Sequence, residues 1–129
     1  HDITARDLQR RDGQWARAKG FDSFCPLGPW IVTHLSVEEA GDLSLVTSVD
    51  GEVKQDAATS QMVYAIPDLI AYISAFTTLL PGDVILTGTP AGVGPILAGQ
   101  RVSVEIDGIG TLTNPVIDDE VDAESSAAR

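Results

Sequence analysis

The sequence predicts a β-rich domain with few, short helices, and three observations lead there. Asp50-Gly51 separates an alternating run, in which Leu43, Leu45, Thr47 and Val49 interleave with Ser44, Val46 and Ser48, from the segment EVKQ. Asp-Gly between such runs is a strong short-range hairpin signal, here for a type I′ turn, because its two central residues both need positive φ. Asp107-Gly108 repeats the device after Val102, Val104 and Ile106, which alternate with Arg101, Ser103 and Glu105, and before GIGTLTNPV. By contrast, one stretch alone has sustained helical periodicity: Leu69, Ile70, Ile73, Phe76, Leu79 and Leu80 form a single apolar stripe. Strand pairs around one good helix describe a β-rich architecture.

Taken in order, the chain opens with Thr4 and Asp7 spaced as a capping-box variant, which predicts a short helix over residues 5–11. Arg6, Gln9 and Arg10 share one face of it, and Leu8 points inward. Asp12-Gly13 is a turn, and the segment from Trp15 to Phe21 carries Lys19 and Gly20 into a loop. Phe21, Phe24, Leu27 and Trp30 come next, on a path that Pro26 and Pro29 keep irregular. That path serves equally as a pocket wall or as core packing. IVTHL reads as a strand, and Ser36 with Glu39 as a capped helical turn ended by Gly41. After the first hairpin come Gln55 and Thr59, then QMVYAI as a short strand. Pro67 and Asp68 open the helix, Pro81-Gly82 close it, and its polar face carries only Ser74, Thr77 and Thr78, so it is structural. VILTG reads as a buried strand running into TPAGVGP. No Gly-Lys-Ser/Thr follows those glycines and no third glycine completes a dinucleotide fingerprint, which argues against nucleotide binding. The glycines permit tight turns and close approach of a ligand, and Thr87 and Thr89 offer hydroxyls at the strand mouth. Residues 118–129, acidic and poor in apolar side chains, read as a disordered tail.

Composition bounds the function classes. A chain of 129 residues with 43% hydrophobic and 21% charged residues is an ordinary globular protein, long enough to bury roughly two thirds of its surface. A net charge of −11 argues against a nucleic-acid partner, and no apolar run reaches the ~18 residues of a membrane span. The single cysteine, Cys25, excludes an intrachain disulfide and suits a cytoplasmic protein. Its surroundings, SFCPLGPW, read as those of a small buried thiol rather than a nucleophile.

Against that acidic background, five of the eight basic residues, Arg6, Arg10, Arg11, Arg17 and Lys19, cluster near the N-terminus among Asp2, Asp7 and Asp12. Taken alone, such a charge run is either a solvated face with local ion pairs or a site for a small anion or a metal.

Four segments in order, HDITARDLQ, RAKGFDSFCPLGPWI, GEVKQ…T and DVILTGTPAGVGP, resemble the C-terminal part of the fumarylacetoacetate hydrolase family, and the similarity runs from His1 to about Val116. The resemblance implies a rolled β-sandwich of mixed sheets and a homodimer. It also implies a metal-dependent enzyme acting on 2-oxo acid, 1,3-diketone or dienoate diacid intermediates of aromatic catabolism, by C–C hydrolysis or by isomerisation or decarboxylation through an enolate. By residue matching, Asp2 would ligate a divalent metal, Mg²⁺ or alternatively Mn²⁺ or Ca²⁺. Lys19 and Gln9 would serve catalysis, and Arg6 and Thr89 would bind a small anionic substrate. Segment RAKGFDSFCPLGPWI is more similar to bacterial isomerase/decarboxylase relatives than to the animal tyrosine-pathway enzyme. Departures exist: Ala58 stands where the family often has Asn, and the Glu-x-Glu pair and His/Glu dyad that precede the aspartate motif in the family have no counterpart in this sequence. Residues 1–117 therefore read as the C-terminal portion of a catalytic domain whose N-terminal half is absent. The alternative is an incomplete, non-catalytic fragment or a binding subunit with the same fold.

Overall fold

A computed structural model describes residues 1–118; most of the acidic segment expected to be a disordered tail lies outside the described residues. The centre is one antiparallel sheet of four strands, β1 (Ser44–Val49), β2 (Glu52–Ala58), β3 (Arg101–Ile106) and β4 (Gly110–Pro115), in the order β2-β1-β3-β4. Both Asp-Gly signals are hairpins. Asp50 and Gly51 have φ of 51° and 83° and join Val49 to Glu52, as a type I′ turn demands. The second connection spans residues 107–109, with Gly108 at φ 72° and the Ile109 amide donating to the Ile106 carbonyl at 3.0 Å. Pairing β1 with β3 sets Val49 opposite Val102, and these two, with Ala18, are the buried hydrophobic residues among those described.

Outside the sheet, the described residues form four short α-helices, α1 (Arg6–Asp12), α2 (Ala16–Lys19), α3 (Val37–Ala40) and α4 (Ile66–Ser74), and one 3₁₀ turn (Thr59–Gln61). A β-rich fold with few short helices is thus what the chain forms. α3 carries the expected capping box: the Glu39 amide donates to Ser36 Oγ at 3.2 Å and the Ser36 amide to Glu39 Oε2 at 2.8 Å. Hydrogen bonds from Ser36 favour the ionised carboxylate and hold Glu39 below its ordinary pKa.

Several expectations are corrected. Ala5, not Thr4, caps α1, without a side-chain bond; the Thr4 hydroxyl is engaged by Lys19 instead. Lys19 ends a helical turn rather than sitting in a loop. The helix expected to run from Pro67 to Leu80 stops at Ser74: the Phe76 and Thr77 amides both bond to Ile73 O, and Thr77-Thr78, β-branched, are poor continuers. Nor is the apolar stripe buried: Ile70 in α4 and Phe76 beyond its end are 45% and 69% exposed. IVTHL, QMVYAI and VILTG form no strand among the described residues. Their β-branched composition fits a half-buried pleated surface, but a strand exists only where a neighbour satisfies its backbone, and none pairs with them. Ile31, Val63, Val84 and Leu86 are accordingly exposed. Cys25 is exposed rather than buried. The Pro29-Trp30 segment lies over the β3–β4 hairpin, where a Cβ on Gly110 would come within 3.1 Å of the Trp30 ring. No helix among the described residues is long and apolar enough to cross a membrane.

Candidate functional site

The N-terminal segment runs extended beside residues 18–24: the Ile3 amide donates to the Phe24 carbonyl and the Ala5 amide to the Ala18 carbonyl, both at 2.9 Å. Alternate residues of an extended chain share a face, so Asp2 and Thr4 project from the same face of the segment. Lys19, at the end of α2, meets them there. Its Nζ donates to Asp2 Oδ2 at 2.8 Å and to Thr4 Oγ1 at 3.0 Å, and stands 5.9 Å from the centroid of the Trp15 ring. The Lys19 side chain is 28% exposed and that of Asp2 40%, a partly shielded pair at the surface.

A second clamp fixes the helices that carry these groups. Arg17 of α2 grips Asp12 of α1 with two parallel bonds, Nε to Oδ2 at 2.7 Å and Nη2 to Oδ1 at 2.6 Å. The Arg17 hydrogen bond, and then its charge, hold the Asp12 carboxyl below its ordinary pKa, and the same contact raises Arg17. On α1, Arg6 Nη1 donates to Gln9 Oε1 at 2.6 Å. That bond uses the Gln9 acceptor and leaves its amide N–H groups to donate elsewhere.

Thr89 is placed differently. It is exposed at the rim of a cleft of about 320 Å³, lined also by Thr59, Tyr64, Leu69 and Thr87. Gln55 Nε2 donates to Thr89 Oγ1 at 2.7 Å and to the Pro90 carbonyl at 3.0 Å. Of the five residues expected at the site, Asp2 meets Lys19 and Arg6 meets Gln9. Among the described residues no hydrogen bond or ion pair joins Thr89 to either pair.

Sequence reasoning missed Thr4 as a partner of Lys19, although its i, i+2 spacing from Asp2 in an extended segment was the available signal. Neither the contact of Gln55 with Thr89 nor the place of Trp15 beside Lys19 has a signal in the sequence.

The same order of segments is found in known proteins. The fumarylacetoacetate (FAA) hydrolase C-terminal family profile matches residues 1–117. The chain belongs to the fumarylacetoacetate hydrolase family. A protein of Mycobacterium tuberculosis is 62% identical over 117 residues, covering 91% of this chain and 44% of its own length. The oxaloacetate tautomerase FAHD2A, mitochondrial, of Homo sapiens is 49% identical over 126 residues, covering 91% of this chain and 40% of its own. Among solved structures, 2-hydroxyhepta-2,4-diene-1,7-dioate isomerase from Mycobacterium marinum superimposes with a TM-score of 0.88 at 59% identity, covering 92% of this chain and 46% of that one. Maleylpyruvate hydrolase from Sphingobium sp. SYK-6, in complex with manganese(II) and pyruvate, gives 0.76 at 42% identity, covering 82% and 40%. The chain therefore spans under half the length of these relatives, three of which carry the names of tautomerase, isomerase and hydrolase enzymes.

The donor set of the described residues does not by itself fit a resident divalent cation. Asp2 is one carboxylate, and no group of three or more His, Cys, Asp or Glu side chains converges among the described residues. A magnesium-type ion needs near-octahedral oxygen ligation from more than one such oxygen, so any such site takes further ligands from elsewhere.

Proposed function

We propose that the complete protein is a divalent-metal-dependent enzyme that stabilises the enolate of a small 2-oxo diacid, and that this chain supplies the part of the site that grips the anion. The single observation that carries the reading is the Lys19 ammonium held against Asp2 and Thr4 from seventeen and fifteen residues away. An ammonium has three N–H donors. Two are spent on Asp2 and Thr4, which fix its direction, and the third remains for a substrate oxygen. As a proton leaves carbon, or a C–C bond breaks, negative charge collects on that oxygen, and a donor already in place needs no reorganisation to stabilise it.

Arg6, steadied by Gln9, suits a substrate carboxylate, since a guanidinium offers a planar pair of donors. Gln9 then presents its own N–H to the same ligand. Thr89 donates from the other end, at the 320 Å³ cleft. Asp2 serves as one metal ligand among several, the rest lying outside the described residues. Tautomerisation, isomerisation, decarboxylation and hydrolysis share the enolate, and the names borne by the relatives include tautomerase, isomerase and hydrolase.

The test is an assay of the full-length protein on oxaloacetate enol–keto interconversion and on 2-hydroxyhepta-2,4-diene-1,7-dioate isomerisation, before and after chelation. Turnover of at least one compound, lost with chelator and restored by Mg²⁺ or Mn²⁺, supports the reading. Turnover of neither compound, or turnover indifferent to chelator, overturns it.

A further inference from the structure

Gln55 has no part in gripping the enolate, yet the fold takes trouble to aim it. In the β1–β2 ladder Thr47 faces Gln55 while Ser48 faces Val53, so Lys54 is an extra, bulged residue. Without the bulge Val53 and Gln55 would share a face; with it they point to opposite faces, and Gln55 reaches the 87–94 loop. The loop is pressed onto that bulge. Gly92, at φ 102°, lies so close to the Lys54 carbonyl that a Cβ there has no room.

The hydrogen bonds at this junction then fix a polarity. The Pro90 carbonyl only accepts, so the Gln55 amide must present its NH₂ to the loop, and its two N–H bonds go to Pro90 O and Thr89 Oγ1. Thr89 Oγ1 is therefore an acceptor from Gln55. Its single proton points away, and among the described residues no group takes it. A hydroxyl has two lone pairs and one proton; Gln55 takes one lone pair and leaves the proton unspent, so the Thr89 O–H is available to donate at the rim of the cleft.

We propose that Gln55 is a positioning residue that keeps the Thr89 proton free for donation and so tunes the cleft for an anionic oxygen, a carboxylate or enolate. The inference rests on the reading of Thr89 as a substrate contact and deepens it.

The test uses the full-length protein, Mn²⁺, and oxalate, a planar dianion with no donor hydrogen, with binding measured by calorimetry and folding by melting temperature. Thr89→Val removes the donor and weakens oxalate binding about tenfold, the worth of one hydrogen bond to a charged group. Gln55→Glu is nearly isosteric but ionised, so it takes the Thr89 proton and turns lone pairs toward the ligand; binding falls by about tenfold or more. Gln55→Ala frees the hydroxyl to rotate and costs only about two- to threefold. In the Thr89→Val background, Gln55→Glu costs at least about threefold less than in the unsubstituted protein, because the part that acts through the Thr89 proton is gone and only repulsion between the added carboxylate and oxalate remains. If Thr89→Val binds oxalate like the unsubstituted protein, the substrate-contact reading fails and the inference with it. If Thr89→Val is weakened but Gln55→Glu is not, or if Gln55→Glu is equally harmful in the Thr89→Val background, the contact stands and the positioning role of Gln55 is overturned.

Discussion

Replacing Lys19 by Met in the full-length protein separates two consequences that a merely structural lysine would not produce together. The Nζ to Asp2 Oδ2 distance is 2.8 Å, and the two side chains are 28% and 40% exposed, so water screens the pair. Taking the bulk-water dielectric as the lower limit gives about 332/(80 × 2.8), or roughly 1.5 kcal/mol, of attraction. That attraction competes with any cation seeking the same carboxylate. Lys19→Met therefore tightens Mn²⁺ binding about tenfold, since ~1.4 kcal/mol is a decade. Turnover moves the other way: losing one preorganised donor to a developing oxyanion lowers kcat about 10²- to 10³-fold. Manganese affinity is read by electron paramagnetic resonance titration and kcat by enol–keto interconversion of oxaloacetate. Lys19→Arg keeps the charge but presents a planar fork, and is expected to spare metal affinity without restoring kcat. A Lys19→Met protein with full turnover refutes the role of the third N–H. One with reduced turnover but unchanged or weaker Mn²⁺ affinity refutes the competition for Asp2.

Other expectations come from the fold. Val102→Ala, at a position 6% exposed opposite Val49, removes two buried methyl groups and lowers stability by about 2 kcal/mol in urea unfolding; a loss under about 0.5 kcal/mol would mean the sheet has no core there. Gly92→Ala, placed against the Lys54 carbonyl at φ 102°, costs about 1–3 kcal/mol and frees the loop from β2, which amide exchange at residues 87–94 would register. Glu39 is held below its ordinary pKa in the fold, so the unfolded chain binds that proton first as pH falls. Its contribution is therefore complete above the unfolded value and lost as pH drops through the lower folded one; Glu39→Gln should flatten that part of the acid limb of the stability profile, and an unaltered limb contradicts the cap.

Both hairpins were legible in the sequence because each is specified locally: Asp50-Gly51 and Asp107-Gly108 supply the residue types that tolerate the positive φ their turns need. So was the Ser36–Glu39 cap, whose two halves lie three residues apart. What failed was everything that needs a partner. IVTHL, QMVYAI and VILTG have strand composition, but composition does not supply a neighbouring ladder, and Val63 is left 90% exposed. The stripe from Leu69 to Leu80 has helical period throughout, yet period cannot tell where Ile73 begins to receive the closing amides. The site was less legible than the fold. Neither periodicity nor spacing joins Asp2 to Lys19; family resemblance named both residues, and only the backbone pairing of residues 3 and 5 with 24 and 18 shows how they meet. Thr89 was named by the same route, while its partner Gln55 is brought to it by a bulge that no sequence signal marks.

The pairing of Asp2 with Lys19 in a divalent-cation-dependent enzyme is a proposal that one substitution can decide. Its most direct test is Asp2→Ala in the full-length protein, with Mn²⁺ binding and oxaloacetate turnover measured on the same folded sample. Both are expected to be lost while melting temperature changes little, because Asp2 is an exposed side chain that anchors no core. A variant that still binds Mn²⁺ and turns over at the original rate would contradict it.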